Sequence, residues 1–342
     1  MRRYTVIYPP TVSWNEPIYQ RPHQLMAEFA RQGHLAIFVN KIPDGRGVDW
    51  FADENLCISN DLLSTLCDTR IKDMMKGTRV VLWVTYAKTM AMKSLVNPDI
   101  CVFDYIDEGV EEFAEWKKDI EEGLESGDVI FTTSHNLLEL TQIKYPSRTF
   151  LLPNGADIYQ FTKDVVIAPD LENLRRSYEQ IIGFHGTLVS WVDFALIRDI
   201  ALNCPEWGIV LIGPDCGLPN NYKNVPNIHY LGSRPYNKLA SYVKYFDVGM
   251  IPFEVRQVTH SANPIKMYEY LAAGVPLVAT PIRECVNLSP IVRIGKNSSE
   301  FISQIKAVLK VKIQEQQLYL RMAYENSWSQ RVQHALEVLE EF

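Results

Sequence analysis

Asn263-Pro264-Ile265-Lys266-Met267-Tyr268-Glu269-Tyr270-Leu271-Ala272-Ala273-Gly274-Val275-Pro276-Leu277-Val278-Ala279-Thr280 is the stretch on which the reading of this chain turns. Pro264 lacks a backbone N–H, and its fixed φ suits the first turn of a helix. Ile265, Tyr268, Leu271 and Ala272 follow at helical spacing and give one apolar face. Gly274 suits the position just past a helix end, and Pro276 blocks continuation. Leu277-Val278-Ala279 then reads as a short buried strand. A capped helix that feeds straight into a strand is one half of an α/β repeat. Lys266 lies in its first turn and Glu269 one turn on. A helix N-terminus with a cation beside it suits a phosphate, and a carboxylate there can accept from two adjacent sugar hydroxyls. On spacing alone, an (i, i+3) surface ion pair explains the same two residues more simply.

Outward from this stretch the chain alternates strands and helices. In the first half, Thr5–Tyr8, Leu35–Val39, Val80–Val84, Ile100–Asp104, Asp128–Ser134 and Thr149–Leu152 read as strands. In the second half, Gln180–Leu188, Trp207–Gly213, the start of Asn227–Tyr236, Asp247–Phe253 and Leu277–Ala279 do the same. Two doubly wound parallel sheets are therefore expected, and such sheets bind ligands past the carboxyl ends of their strands. Four segments fall there. Gln20, Arg21 and His23 follow the first strand, without the Gly-x-Gly-x-x-Gly of a dinucleotide loop; a helix-start cation and a packed histidine are the plainer readings. Asp107 follows Ile100–Asp104, and suits either a base on a hydroxyl or an N-cap of the acidic segment Glu111–Glu125, itself read as a solvated face. Gly186 and Thr187 end the Gln180–Leu188 strand, where a glycine lets backbone approach a phosphate or simply makes a turn. Arg234 sits in the loop part of Asn227–Tyr236, where an exposed loop arginine is the plainer reading.

Composition narrows the classes. The chain has 342 residues, 47% hydrophobic and 22% charged, enough for two domains with separate cores. A net charge of −7 speaks against nucleic-acid binding, which needs a basic footprint. Six scattered cysteines give no Cys-x-x-Cys pair and no zinc pattern. Met1–Tyr8 has no apolar run long enough for a signal peptide, and no segment reaches the ~20 apolar residues of a membrane span. A cytoplasmic protein is expected, with contact at the inner face of a membrane left open.

The pattern Pro-x-Lys-x-x-Glu-Tyr-Leu-Ala-x-Gly-x-Pro-Leu-Val-Ala resembles the donor-site helix of GT-B glycosyltransferases, specifically family-four bacterial enzymes similar to the teichuronic acid biosynthesis glycosyltransferases. Gln-Arg-Pro-His-Gln-Leu at 20–25, Phe-Asp-Tyr-Ile-Asp-Glu at 103–108 and Pro-Asn-Gly-Ala-Asp at 153–157 resemble further segments of that group. The resemblance implies two Rossmann-like domains facing a central cleft: an acceptor domain over 1–165, a donor domain over 166–326, and a C-terminal helix over 327–342 that crosses back. It implies transfer of a sugar from a nucleotide diphosphate donor, a UDP-sugar, to a hydroxyl of a glycan or lipid-linked glycan in cell-surface polysaccharide synthesis. Gly186, Thr187, Arg234, Pro264, Ile265, Lys266 and Glu269 would bind the donor, and Arg21 and His23 the acceptor. Asp107 and Lys266 would be catalytic. No cofactor and no metal are expected, since Asp-x-Asp is absent. Retention is the family expectation, although Ser261 stands where many relatives carry a first Glu. A sugar-nucleotide epimerase of the same fold and a noncatalytic relative that binds nucleotide sugar are the alternatives. Product from the nucleotide sugar alone would mark the first, and binding without turnover the second.

Overall fold

The computed structural model describes residues 2–46 and 49–342, and the chain divides into two compact units. The first runs through Pro153 and takes back Trp328–Phe342; the second is Asn154–Ser327. The division thus falls earlier than the expected 165/166, for a physical reason. Asn154 and Ala156 are already tied into the second unit, through Asn154 Nδ2–H donating to Asn263 O (2.6 Å) and Ala156 N–H to Asn326 O (2.8 Å).

The first unit is built on an eight-stranded sheet of β1 (Tyr4–Tyr8), β2 (Leu35–Val39), β3 (Asp49–Asp53), β4 (Leu56–Ser59), β5 (Arg79–Val84), β6 (Ile100–Tyr105), β7 (Val129–Thr132) and β8 (Thr149–Leu151). Their order is β3-β4-β2-β1-β5-β6-β7-β8, parallel except for the β3–β4 pair. β1, β2, β6 and β7 are buried at every position, which is what helices on both faces of a parallel sheet require and why these strands read as unbroken apolar runs. The C-terminal helix Trp328–Glu340 packs on the Arg21–Arg31 helix within this unit. It is held there by Gln32 Nε2–H donating to Ser329 O (3.1 Å) and by Arg2 N–H donating to Glu340 Oε1 (3.1 Å).

The second unit carries a wholly parallel six-stranded sheet of β9 (Gln180–His185), β10 (Trp207–Ile212), β11 (Ile228–Gly232), β12 (Val248–Ile251), β13 (Leu277–Ala279) and β14 (Val292–Ile294). The order β11-β10-β9-β12-β13-β14 turns back at β9, so the loops after β9 and β12 leave the sheet at a switch point. The helix expected from the opening stretch spans Ile265–Ala272. Gly274 takes φ +68°, and Val275 N–H donates back to Tyr270 O (2.9 Å), the closing bond a left-handed glycine permits. Met267, Tyr270 and Leu271 are fully buried in the unit's core, so this helix is fixed along its length and not only at its ends.

Candidate functional site

In the second unit, the N-terminus of Ile265–Ala272 is set by two asparagines. Asn154 N–H donates to Asn263 Oδ1 (3.0 Å), while Asn263 Nδ2–H reaches Tyr268 Oη and Glu284 Oε2 (3.2 Å each). The Pro-Asn-Gly segment is therefore more than a turn: it pins the start of the helix. Pro264 is the N-cap and supplies no side-chain cap; the Met267 N–H is taken by Pro264 O (3.1 Å), and the Ile265 and Lys266 N–H groups keep their capacity for an anion.

Lys266 and Glu269 are not the surface ion pair that spacing favours. Among the described residues Lys266 makes no ion pair; its Nζ lies 5.4 Å from the Phe184 ring centre and 4.9 Å from that of Phe253. The ammonium rests over these two rings and against Gly186. A Cβ on Gly186 would stand 2.8 Å from Lys266 Cε, and Gly186 takes φ +134°. Gly213 in turn touches the Gly186 carbonyl so closely that a Cβ there would lie 2.0 Å from it. Both glycines are required for the β9 and β10 loops to meet at the lysine. Thr187 follows, partly exposed. Burial holds the Lys266 ammonium below its ordinary pKa, with the Glu269 charge opposing that shift.

Glu269 is buried, and burial raises its carboxyl well above the usual range, opposed by Lys266 and by a hydrogen bond with Tyr236 and assisted by the Asp157 charge. Its Oε2 lies 3.4 Å from Nε2 of His185, the last residue of β9. Burial first, and the Lys266 charge second, depress the His185 imidazole to about 3, so it is neutral at physiological pH. Asp157 caps Gln160 N–H (3.0 Å) and accepts from Tyr236 Oη (3.1 Å), which brings a carboxylate and a phenol to the same corner. His185, Asp157 and Tyr236 were not assigned to the site from sequence. Their legible signals were position alone: before the β9 glycine, after the Pro-Asn-Gly turn, and after β11. Arg234 is committed elsewhere, donating through Nη2 to Asp170 (2.7 Å), through Nε to Tyr242 Oη (2.7 Å) and through Nη1 to Ser233 O (3.0 Å). A base contact by Arg234 would have to break these bonds.

The first unit has its own cavity, of about 430 Å³, past the carboxyl ends of β1, β5 and β6. Tyr8, Tyr86, Tyr105 and Trp116 give it aromatic walls, and Gln20, Lys41, Asp107 and Asp119 give it polar groups. Asp107 is not an N-cap: Val110 precedes the Glu111–Trp116 helix, with no capping side chain. Burial raises the Asp107 carboxyl to about 6, although the residue stays partly accessible through the cavity. The acidic segment is correspondingly more than a solvated face, since Trp116, Asp119 and Ile120 turn inward to the cavity.

Arg21 and His23 do not join it; their chain neighbours Gln20 and Pro22 do. Arg21 is buried and bidentate on Asp104, with Nε and Nη2 each 2.8 Å from a carboxylate oxygen. Asp104 also accepts from Trp83 Nε1–H (3.0 Å). His23 is fully buried, its Nδ1 accepting from Gln20 N–H and its Nε2 facing Ser13 O (3.1 Å each), packed among Trp14, Tyr19 and Phe38. Both are buried in the framework and do not line the cavity, because the Arg21–Arg31 helix packs on the central strands β1 and β2 and turns these first-turn side chains inward. Arg21→Met, which strands a buried Asp104 charge, is expected to lower unfolding stability by about 3–5 kcal/mol. Urea denaturation measures it, and a change under ~1 kcal/mol would show that the pair is not framework.

Two doubly wound, nearly all-parallel sheets with these termini define the GT-B fold. Solved structures of that architecture superpose on nearly the whole chain: a sucrose-phosphate synthase of Thermosynechococcus elongatus (TM-score 0.70, 12% identity, 99% of each chain), HepE of Anabaena in complex with UDP and glucose (0.68, 13%, 99% of this chain and 100% of that one) and the trehalose-6-phosphate synthase OtsA (0.70, 12%, 99% of each). In sequence, 237 residues are 24% identical to TuaH of Bacillus subtilis (strain 168), named provisionally as a teichuronic acid biosynthesis glycosyltransferase. That match spans 64% of this chain and 59%, less than two thirds, of TuaH. No protein-family model matches the chain. No helix among the described residues is long and apolar enough to cross a membrane.

Proposed function

We propose that this protein is a glycosyltransferase that moves a sugar from a UDP-sugar to a hydroxyl of a glycan or lipid-linked glycan acceptor. The observation that carries the reading is the juxtaposition of an uncapped helix N-terminus, the unpaired Lys266 ammonium and the Gly186 loop, with buried Glu269 one turn on. The first three supply positive charge where a diphosphate would leave, and Glu269 supplies acceptors for ribose hydroxyls. HepE, of the same fold, is a structure with UDP and glucose, which supports the donor class. The cavity holding Asp107 has the mixed aromatic and polar lining that suits a sugar acceptor. The reading takes Lys266 and the helix dipole as the charges that receive the leaving diphosphate, hence metal-independent transfer, with retention from the family resemblance. It places the reaction in the cytoplasm at the inner membrane face, in cell-surface polysaccharide synthesis.

Calorimetry with UDP tests it. Wild type should bind, and Glu269→Ala should lose about tenfold or more in affinity while staying folded, the worth of a charged hydrogen bond of roughly 1.5–3 kcal/mol. Unchanged affinity in a folded variant removes the ribose role.

A further inference from the structure

His185 has a place in the site that the reading above leaves unused. Its backbone N–H donates to Tyr270 Oη (3.2 Å), and that hydroxyl donates on to Gly183 O (3.2 Å). Its ring meets Tyr270 edge-on, with centroids 5.1 Å apart. Backbone and ring are thus both fixed by the residue that follows Glu269. Nε2 is fully enclosed and lacks a hydrogen-bond partner of ordinary geometry; what it faces is Glu269 Oε2, at 3.4 Å. A buried polar atom left so is costly unless something closes on it.

The chemistry of that pair sets what it can do. A neutral imidazole has one N–H, and when Nε2 carries it, the ring donates to a carboxylate. Glu269 needs such a donor, because burial works against its charge. The charged carboxylate offers an acceptor-only oxygen to each of two neighbouring hydroxyls, whereas the protonated form turns one oxygen into a donor; a 2′-deoxyribose presents one of the two hydroxyls. The other titratable groups facing this corner are Lys266 on the same helix, Asp157 before Ile158–Phe161 and Tyr236 after β11, with Cys285 beside Lys266. Tyr236 also hydrogen-bonds the Glu269 carboxyl, so His185 acts beside it; of the ring and amine nitrogens at this corner, the His185 Nε2 is the one within ion-pair distance of that carboxyl.

We propose that His185 is a positioning residue that fixes the Glu269 carboxylate toward both ribose hydroxyls of the donor, and so makes the site selective for ribo- over 2′-deoxyribonucleotides. The proposal rests on the donor site proposed above. It assigns no bond-making step to His185.

The test measures UDP and 2′-deoxy-UDP binding by calorimetry from pH 6 to 8.5, for wild type, His185→Phe and His185→Gln. Wild type should favour UDP about tenfold or more. His185→Phe keeps a ring but no donor; it should lose most of that preference through weaker UDP binding, with 2′-deoxy-UDP nearly unchanged. The pH at which UDP affinity is gained should also move upward, since Glu269 without the His185 N–H beside it ionises later. His185→Gln carries an amide N–H near the place of Nε2 and should restore both preference and profile. Thermal unfolding without nucleotide reports folding, and His185→Met replaces His185→Phe if the latter is unfolded. A donor-free variant that keeps the wild-type preference and pH profile overturns the proposal and leaves the donor site standing. A wild type that binds no nucleoside diphosphate overturns both.

Discussion

Lys266→Met is expected to lower turnover by on the order of 10²-fold, as does the loss of one preorganised group at a site of developing charge. The helix dipole supplies about half an elementary charge at its N-terminus, and the loop after Gly186 contains no basic residue, so Lys266 is the full cation at this place. Its setting makes the substitution a test of charge and not of packing. A methionine of similar length keeps helix propensity and can rest its sulfur on Phe184 and Phe253, as the ammonium does now. Stability should move the other way from activity. The folded-state pKa of Lys266 lies below the unfolded one, so the unfolded chain binds the proton more tightly and the protonated lysine costs stability at neutral pH. Removing it should leave the nucleotide-free melting temperature equal or higher. Above the pH at which Glu269 ionises and donor affinity is gained, loss of the Lys266 proton should lower it again, beginning below the ordinary lysine range. The wild-type profile should therefore pass through a maximum. Turnover should be the same with and without excess chelator. Loss in chelator with rescue by magnesium, or near-normal turnover in the methionine variant, would remove Lys266 from this role.

The fold was legible because parallel strands buried on both faces cannot hide. Leu35–Val39 was bounded correctly from its apolar run alone, and Ile100–Tyr105 was missed by one residue at its end. Elements with weaker signals went unread. β4 and β14 have four and three residues, too few to separate a strand from one helical turn, and β3 is an edge strand carrying charge. The later half of the Ser298–Glu325 helix buries just Tyr319 and Ala323 and shows no continuous apolar stripe, so periodicity does not mark where it ends.

The candidate site was half legible, for a different reason. Lys266, Glu269 and Gly186 stand in a dense local pattern. His185, Asp157 and Tyr236 reach Glu269 from separate elements, and a contact between distant segments has no local signature. Arg21 shows the converse. Its pattern was recognised, yet the partner that consumes its charge, Asp104, lies on β6, where spacing does not connect the two.

Asp107→Asn is expected to reduce turnover by roughly 10²-fold or more while leaving UDP affinity intact, if the carboxylate takes or orients the acceptor hydroxyl proton. With its carboxyl raised to about 6 by burial, Asp107 is ionised at neutral pH yet basic enough to compete for that proton. Activity of the wild type should therefore fall as pH drops through about 6. The stability consequence has a definite sign. Because the folded-state pKa exceeds the unfolded one, this group's contribution to stability is fully present below the unfolded carboxylate value. It is lost as pH rises toward about 6, after which the buried charge is a constant cost. Asparagine does not titrate and keeps nearly the same shape. The melting temperature of Asp107→Asn minus that of wild type should thus increase between pH 4 and pH 7. Thermal unfolding at several pH values and single-turnover rates with the acceptor measure the two effects on the same protein. A stabilised but slow variant is the result expected of a charge kept at thermodynamic cost for chemistry. A pH-independent difference in melting temperature would show that Asp107 is well solvated, and near-normal turnover would show that the cavity's carboxylate does not act on the acceptor.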